Sequence, residues 1–525
     1  MIRACTRRAC NGWPLALAPR AWYHSWRMTR WFRHIALIIG LSLVCGLALG
    51  LFSTNLPLGL PGEWTWSRLA RSVEPNPLGV AIALVGILGF AGFVAWAGLW
   101  LEKNHTPSRL RVFTLLGALG LGSVVLQLVV QNAAPQAFGL TKWAFALHSP
   151  ASSGYYTLAR GAQLQDSARF WHDYPDWIRD QDALHVGTHP PGLFLLWREA
   201  LGLTRGSLAF TNLINALAPG DVVAGFREIA KRDPIPPAER AAIVLMGFLT
   251  QIACALTVLP IYGMSRAVGL SRTQGLWAAA LWPLVPSAVL FQPAADTMYP
   301  VIAASIIALA LVPKSLARVA AGGLLAIGMQ LTLAFLPVGL LAAIVVVLYS
   351  RVPSSAGGSR WAVRSAGRAI LAIGLGFSAV TAMAWAYSGA NPFVIWWWNQ
   401  RNHARFYEQF PRNYAAWMLL NPVEFAVALG LPIVVWLVPG LRAGRSSGVA
   451  WATLAVLAAL QISGRNLSEV ARLWLLFMPM LLPAVASGIV RLGGREKTIA
   501  ATLVLLGVQT LLLQATIQVV YAVAD

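Results

Sequence analysis

Long apolar runs, separated by short polar loops, leave this chain few folds to choose from. A membrane-spanning helix needs roughly 17–25 mostly apolar residues at a rise of about 1.5 Å each. On that scale spans are expected at 35–52, 78–101, 112–130, 241–262, 275–291, 297–312, 319–335, 336–349, 369–387, 423–441, 449–462, 473–490 and 499–523, about thirteen in all. The stretch 319–349 is too long for one crossing and short for two. Arg318 and Arg351 flank it, which requires an even number of crossings, so it is read as two short helices. The expected fold is an all-α polytopic integral membrane protein with an extracytoplasmic cap of short helices.

Charge gives the orientation. When the loops are numbered alternately, about 23 of the 40 Lys and Arg fall on the side of the N-terminus, with only Glu102 and Glu496 against them. They include Arg30, Arg33, Lys103, Arg109, Arg266, Arg318, Arg442 and Arg491. The other face carries near-equal numbers of bases and acids, so the basic face accounts for the whole net charge of +21. Lys and Arg accumulate in cytoplasmic loops, which puts the N-terminus in the cytoplasm, the C-terminus outside, and the chain in a cell (plasma or inner) membrane. With 57% hydrophobic and 11% charged residues, a soluble domain is excluded. A pI near 10.8 would suggest nucleic acid in a soluble protein. Here the bases are spread over short loops beside apolar runs, so no nucleic-acid partner is expected. Cys5, Cys10, Cys45 and Cys254 show no metal-ligand spacing.

The organisation follows. Residues 1–34 form a basic cytoplasmic tail and 35–130 hold the first three spans. Residues 131–237 make a large extracytoplasmic loop, and 238–525 carry ten further spans with external loops near 391–421 and 463–472. The loop 131–237 is too polar to be embedded and too aromatic to be disordered. Helical apolar spacing at 155–170 and 193–203 suggests helices lying along the outer surface.

Chemistry belongs on that face. In Asp182-Ala-Leu-His185-Val-Gly-Thr-His189-Pro-Pro-Gly192 two prolines fix the backbone ahead of a helix. Asp182, His185 and His189 are candidates for acid–base or metal-binding work; a rigid helix start with solvated neighbours is the plainer reading. Asp296 stands alone where an external loop meets a span, a position that serves a cavity or caps a helix. Glu469 and Arg472, three apart, share a helix face as an ion pair or a phosphate-binding fork. Arg401 and Arg405 follow the run Trp396-Trp397-Trp398, which is either an interfacial anchor or part of a site for an anionic lipid-linked ligand.

The elements Tyr155-Tyr156-Thr-Leu-Ala159-Arg160, Thr188-His189-Pro190-Pro191-Gly192 and Ala295-Asp296-Thr-Met-Tyr299 come in an order that resembles the C-type membrane glycosyltransferases. The nearer resemblance is to the protein O-mannosyltransferase and lipid A aminoarabinose transferase type. It covers about 149–310, with weaker echoes at 391–421 and 468–474. It implies transfer of a sugar from a polyprenyl-phosphate donor, within a lipid membrane, to an extracytoplasmic glycan, lipid or protein acceptor. Asp296 with Asp182 would activate and position the acceptor, and His189 would orient the loop or bind the acceptor. Arg472 with Arg401 or Arg405 would hold the phosphate, and Tyr155, Arg160 and Glu469 would complete the substrate site. No cofactor is demanded by spacing, although the external carboxylates allow a divalent cation. The family has an acidic residue just ahead of its loop tyrosine, where this chain has Ser152-Ser153-Gly154. Another residue (Asp166, Asp173 or Asp182) takes that role, or the reaction is altered or lost. The alternatives are a lipid-linked sugar transporter or flippase, which predicts charged residues mid-span where only Gln251, Gln330 and Gln461 are found, and a structural or sensory protein.

Overall fold

The computed structural model describes residues 18–520 apart from 56, 70–72, 105–106, 185 and 351–357, and leaves out the side chains of 18–30, 136, 163 and 358–363. The candidate His185 and the first part of the basic tail therefore lie outside the described residues.

The chain is 79% helical. In order, α1 (Ala18–Ser53), α2 (Pro77–Lys103) and α3 (Arg109–Gln131) open the fold, followed by short helices α4 (Lys142–His148), α5 (Tyr155–Arg160), α6 (Ser167–Trp177), α7 (Gly192–Gly206), α8 (Leu208–Leu217) and α9 (Gly220–Ala230). Then come α10 (Pro237–Leu256), α11 (Val258–Ala267), α12 (Arg272–Leu281), α13 (Pro286–Leu290), α14 (Tyr299–Leu311), α15 (Ser315–Leu331), α16 (Phe335–Ser350), α17 (Gly358–Ser388), α18 (Pro392–Gln409), α19 (Tyr414–Leu429), α20 (Leu431–Gly440), α21 (Gly448–Ile462), α22 (Val470–Leu473), α23 (Leu482–Arg491) and α24 (Glu496–Thr516). Two antiparallel pairs of two-residue strands complete it: β1 (Gly59–Leu60) with β2 (Trp64–Thr65), and β3 (Ser67–Arg68) with β4 (Ile517–Gln518).

The helix starts are written locally. Asn76 and Ser108 cap α2 and α3 with their side chains, and Ser271 with Gln274 forms a reciprocal capping box on α12. Among the described residues, seven helical stretches are long and apolar enough to cross a membrane: Trp31–Ser53, Pro77–Lys103, Arg109–Gln131, Pro237–Ala267, Arg364–Ser388, Gly444–Ile462 and Glu496–Thr516. Leu371, Val85 and Leu121 keep their apolar side chains exposed on these helices, as a lipid-facing surface requires. The protein is membrane-embedded and helical.

The remaining apolar runs are more broken than their hydropathy suggests. Helices α19 and α20 meet at a bend of 100°, where Gly430 adopts φ +111°; counted together they make an eighth span. The run 275–291 is divided by Pro283 and Pro286 into α12, a 3-10 turn and α13. Residues 319–349 form the two helices α15 and α16, parted at Thr332. The stretch expected as one surface helix at 155–170 is α5, a 3-10 turn and α6, because Gly161 is extended and Asp166 caps a new helix.

Without water between helices, packing rests on close backbone approach and internal polar pairs. A Cβ on Gly322 would collide with Ile373 O, and one on Gly376 with Val319 O, so α15 and α17 touch along their backbones. Gly440 and Gly488 do the same for α20 and α23, against Ala484 O and Trp436 O. A buried amide chain ties α3 to α10: Gln251 donates to Gln127 (2.7 Å), Gln131 to Gln251 (2.6 Å), and Trp143 of α4 to Gln131 (3.0 Å). Beside Trp143, Lys142 is 1% exposed and donates to Leu290 O at 3.2 Å.

Basic helix ends also meet. Arg33 donates to Gly493 O, Arg491 to Arg442 O, and Arg445 stacks on Tyr349. They gather the start of the apolar part of α1 with the ends of α16, α20 and α23.

Two predictions test this packing. Gly376→Val should cost about 1–3 kcal/mol by overpacking and lower the thermal midpoint in detergent. Gly374→Val, on the same helix with open space around it, should leave the midpoint unchanged. Burial pulls the Lys142 ammonium down from its ordinary 10.5 to about 7. Between those values the unfolded chain holds the extra proton, so stability should rise with pH across that window. Lys142→Met should flatten the rise, as read from unfolding midpoints between pH 7 and 10.

Candidate functional site

Irregular backbone collects around one cavity of about 490 Å³, to which α4, α5, α7, α10 and the segments around Asp296, Glu469 and Gln518 all contribute. Each wall has its own local cause.

After α13 the chain runs through Phe291, a cis Gln292–Pro293 bond and a 3-10 turn, Ala295–Met298, before α14 begins. Asp296 sits in that turn. Its side chain caps neither helix, so the N-cap reading fails. It lies instead 3.7 Å from Arg472 Nη1. Arg472 Nη2 meets Glu469 Oε2 at 2.7 Å, so one guanidinium serves two carboxylates from segments far apart in sequence. All three side chains are about one-fifth to one-quarter exposed, at 19%, 23% and 24% for Asp296, Arg472 and Glu469. Burial opposes the charge on Arg472, but Glu469 and then Asp296 outweigh it and hold the guanidinium above its ordinary range.

The Glu469 backbone is strained. Ser468 and Glu469 adopt φ of +72° and +55°, a left-handed conformation uncommon for residues with a side chain and typical of built sites. Helix α19 holds it there: Asn421 Oδ1 accepts from Ser468 N, Asn421 Nδ2 donates to Asn466 O, and Glu424 accepts from Ala471 N.

Tyr155 starts α5 after Gly154, whose φ of +73° gives the turn its left-handed step. Its ring packs edge-on against His189 and Phe194, at 5.7 and 5.2 Å. Burial, and then the negative charge of Asp296, raises its phenol above the usual range. His189 also lines the cavity. Its carbonyl accepts from Tyr174 Oη and Asn399 Nδ2 (2.5 and 3.0 Å). Gly192, which opens α7, lies so close to Gln330 O of α15 that a Cβ would not fit. The His-Pro-Pro-Gly element is thus a rigid helix start as well as a cavity wall.

A further part of the wall comes from residues that carry no obvious motif. The β1–β2 hairpin docks on α19 through Glu63, which accepts from Trp417 Nε1 (2.7 Å) and Asn413 N (3.0 Å). Thr65, Ser67 and Gln518 then face the cavity, with Ser67 paired to Gln518 across β3 and β4.

Four expected site residues are elsewhere. Asp182 is exposed and accepts from Leu184 N in its own turn. Arg160 pairs with Asp233 and Glu239 and covers the Tyr156 ring. Arg401 stacks on Trp398, and Arg405 donates to Asn402. None of the four lines the cavity. Among the described residues no group of three or more His, Cys, Asp or Glu is placed to hold a metal ion.

Several positions at the cavity or behind its wall escape a reading of the sequence. Asn399 and Asn402, one turn apart on α18 and both fully buried, clamp the segment 178–189: Asn399 donates to Gly187 O and His189 O, Asn402 to Ile178 O and Gly187 O, all at 2.9–3.1 Å. Their spacing on one helix face is the only signal. His148, Ser149, Ser152 and Ser153 line the cavity as well.

No protein-family model matches the chain, and no curated protein matches it.

Replacing Asn399 and Asn402 together by Ala should strip the Gly187 carbonyl of both its side-chain donors, at about 1–3 kcal/mol. The expected readout is a lower thermal midpoint with early proteolytic cleavage inside 178–189; unchanged cleavage would show that α18 does not hold this segment.

Proposed function

We propose that this protein is a membrane glycosyltransferase that moves a sugar from a polyprenyl-phosphate donor to an acceptor on the outer face of a cell membrane. In this reading the chain crosses the bilayer about thirteen times, the short helices α4 to α9 form an extracytoplasmic cap, and the basic helix ends lie in the cytoplasm. One observation carries the reading: Asp296, Glu469, Arg472, Tyr155 and His189 meet at a single cavity, at the loop end of a bundle built from lipid-length helices.

The chemistry needs few groups. The acceptor oxygen bonds to the anomeric carbon as the bond from that carbon to the phosphate oxygen breaks. The acceptor proton goes to a base, and the electron pair leaves with the polyprenyl phosphate. Arg472 supplies the cation for the departing phosphate, since its fork matches phosphate oxygens. Glu469 and Asp296 hold that fork in place before the donor binds. Once Arg472 turns to phosphate, Asp296 is released to accept a hydrogen bond from the acceptor hydroxyl and position it. His189 and Tyr155 wall the sugar site. Arg401 and Arg405, outside the cavity, suit lipid head groups beside the exposed Trp397. Asp296 and Glu469 already share Arg472, so the reading calls on no metal ion.

Membranes containing the protein should transfer radiolabel from one member of a panel of polyprenyl-phosphate sugars. Asp296→Asn and Arg472→Ala should each lower the rate by about 100-fold or more at unchanged protein level. Labelled substrate crossing the membrane with no covalent product would favour a flippase, and full activity in both variants would sink the mechanism.

A further inference from the structure

One cavity-lining histidine has a carboxylate behind it that Arg472 does not touch. His148, the last residue of α4, lines the cavity, and His148 Nε2 lies 3.2 Å from Asp233 Oδ2. The contact lacks the alignment of a hydrogen bond and leaves Nε2 without a hydrogen-bond partner among the described residues. The negative charge beside it still favours the tautomer with the proton on Nε2, which leaves Nδ1 as the nitrogen that accepts.

The surroundings fix the pair. Arg160 Nη2 of α5 lies 3.7 Å from the same Asp233 oxygen, so Asp233 is oriented from two sides. Glu239, at the start of α10, is engaged by Tyr156 Oη at 2.6 Å and Arg205 at 2.8 Å. The Tyr156 ring lies 5.5 Å from the imidazole. The charged groups around His148 are therefore Asp233, which follows α9, Arg160 on α5 and Glu239 on α10. Burial of the ring leads and draws its affinity for protons below that of an ordinary histidine, against the pull of Asp233. The imidazole is neutral at neutral pH and free to take a proton. Asp296, once Arg472 turns to phosphate, has the separate task of positioning the acceptor hydroxyl.

We propose that the His148–Asp233 pair is the general base of this cavity, with a hydroxyl-bearing acceptor delivered beside Ser149, Ser152 and Ser153. The proposal rests on the glycosyltransferase reading and supplies the base that reading requires. As the acceptor oxygen bonds to the anomeric carbon, its proton moves to His148 Nδ1. The electron pair of the broken carbon–oxygen bond leaves on the polyprenyl phosphate. Asp233, 3.2 Å from Nε2, balances the imidazolium by its charge until the proton is lost to solvent.

The test measures sugar transfer in membranes carrying the wild-type chain, His148→Gly, His148→Gln, Asp233→Asn and Asp296→Asn, with protein level and thermal midpoint checked for each. Both His148 variants should lose about 100-fold or more in kcat with the donor KM unchanged. Added imidazole should restore part of the His148→Gly rate and none of the Asp296→Asn rate. The wild-type rate should fall as pH drops below the ordinary histidine range, and that limb should be absent from the residual His148→Gln activity. Wild-type transfer beside an equally active His148→Gln, or a folded His148→Gly that imidazole does not rescue, overturns the pair and leaves the glycosyltransferase reading standing. No transfer from any donor by the wild-type chain overturns that reading, and the role of the pair with it.

Discussion

Lipid offers no hydrogen-bond partner, so a backbone within it must satisfy itself by staying helical or by hiding among other helices. Departures from regular helix are therefore tolerated only where the protein itself supplies the partners. In this chain the departures are concentrated. The turn that carries Asp296 closes on its own backbone and on Thr297, whereas the left-handed pair Ser468–Glu469 and the loop ending at His189 depend on side chains of neighbouring helices. Asn421, Glu424, Asn399 and Asn402 provide them. The cavity lies where helix regularity was given up and then repaired.

The same constraint orders the charges. Arg472 is tolerated at partial burial because two carboxylates reach it, and removing either would leave poorly solvated charge behind. Lys142 is the opposite case, a buried amine with a single carbonyl acceptor. Deeper in the bundle polarity is carried by amides: Gln127, Gln131 and Gln251 satisfy one another without net charge. That pattern suits a protein that anchors its helices with neutral polar pairs and keeps ionised groups for the cavity and the helix ends.

Much of the architecture was legible because hydropathy and backbone chemistry agree. The runs at 78–101 and 112–130 have uninterrupted apolar composition and capped starts, and they are continuous helices. The run at 275–291 has the hydropathy of a span but contains two prolines, and local chemistry broke it into α12, a turn and α13. In the site, Asp296, Glu469, Arg472, Tyr155 and His189 stood out by type and position, and the fold brings them together. Asp182 looked equivalent to Asp296 in sequence, yet a two-residue turn absorbs its carboxylate. His148 and Asp233 carry no mutual signal, since their contact exists only once α4 has docked beside α9 and α10. The hairpin at 59–65 was equally silent, because its role comes from Glu63 reaching α19.

The asparagine clamp on α18 gives the helix a mechanical meaning. Its first turns carry Trp396, Trp397 and Trp398, with Trp397 63% exposed, and the next residues hold the His189 and Gly187 carbonyls through side-chain hydrogen bonds. Such a helix faces its surroundings with one part and bears on the cavity wall with the other. The exposed tryptophans and the cavity wall are thus joined through one helix, so that whatever orders Trp397 also bears on the position of His189.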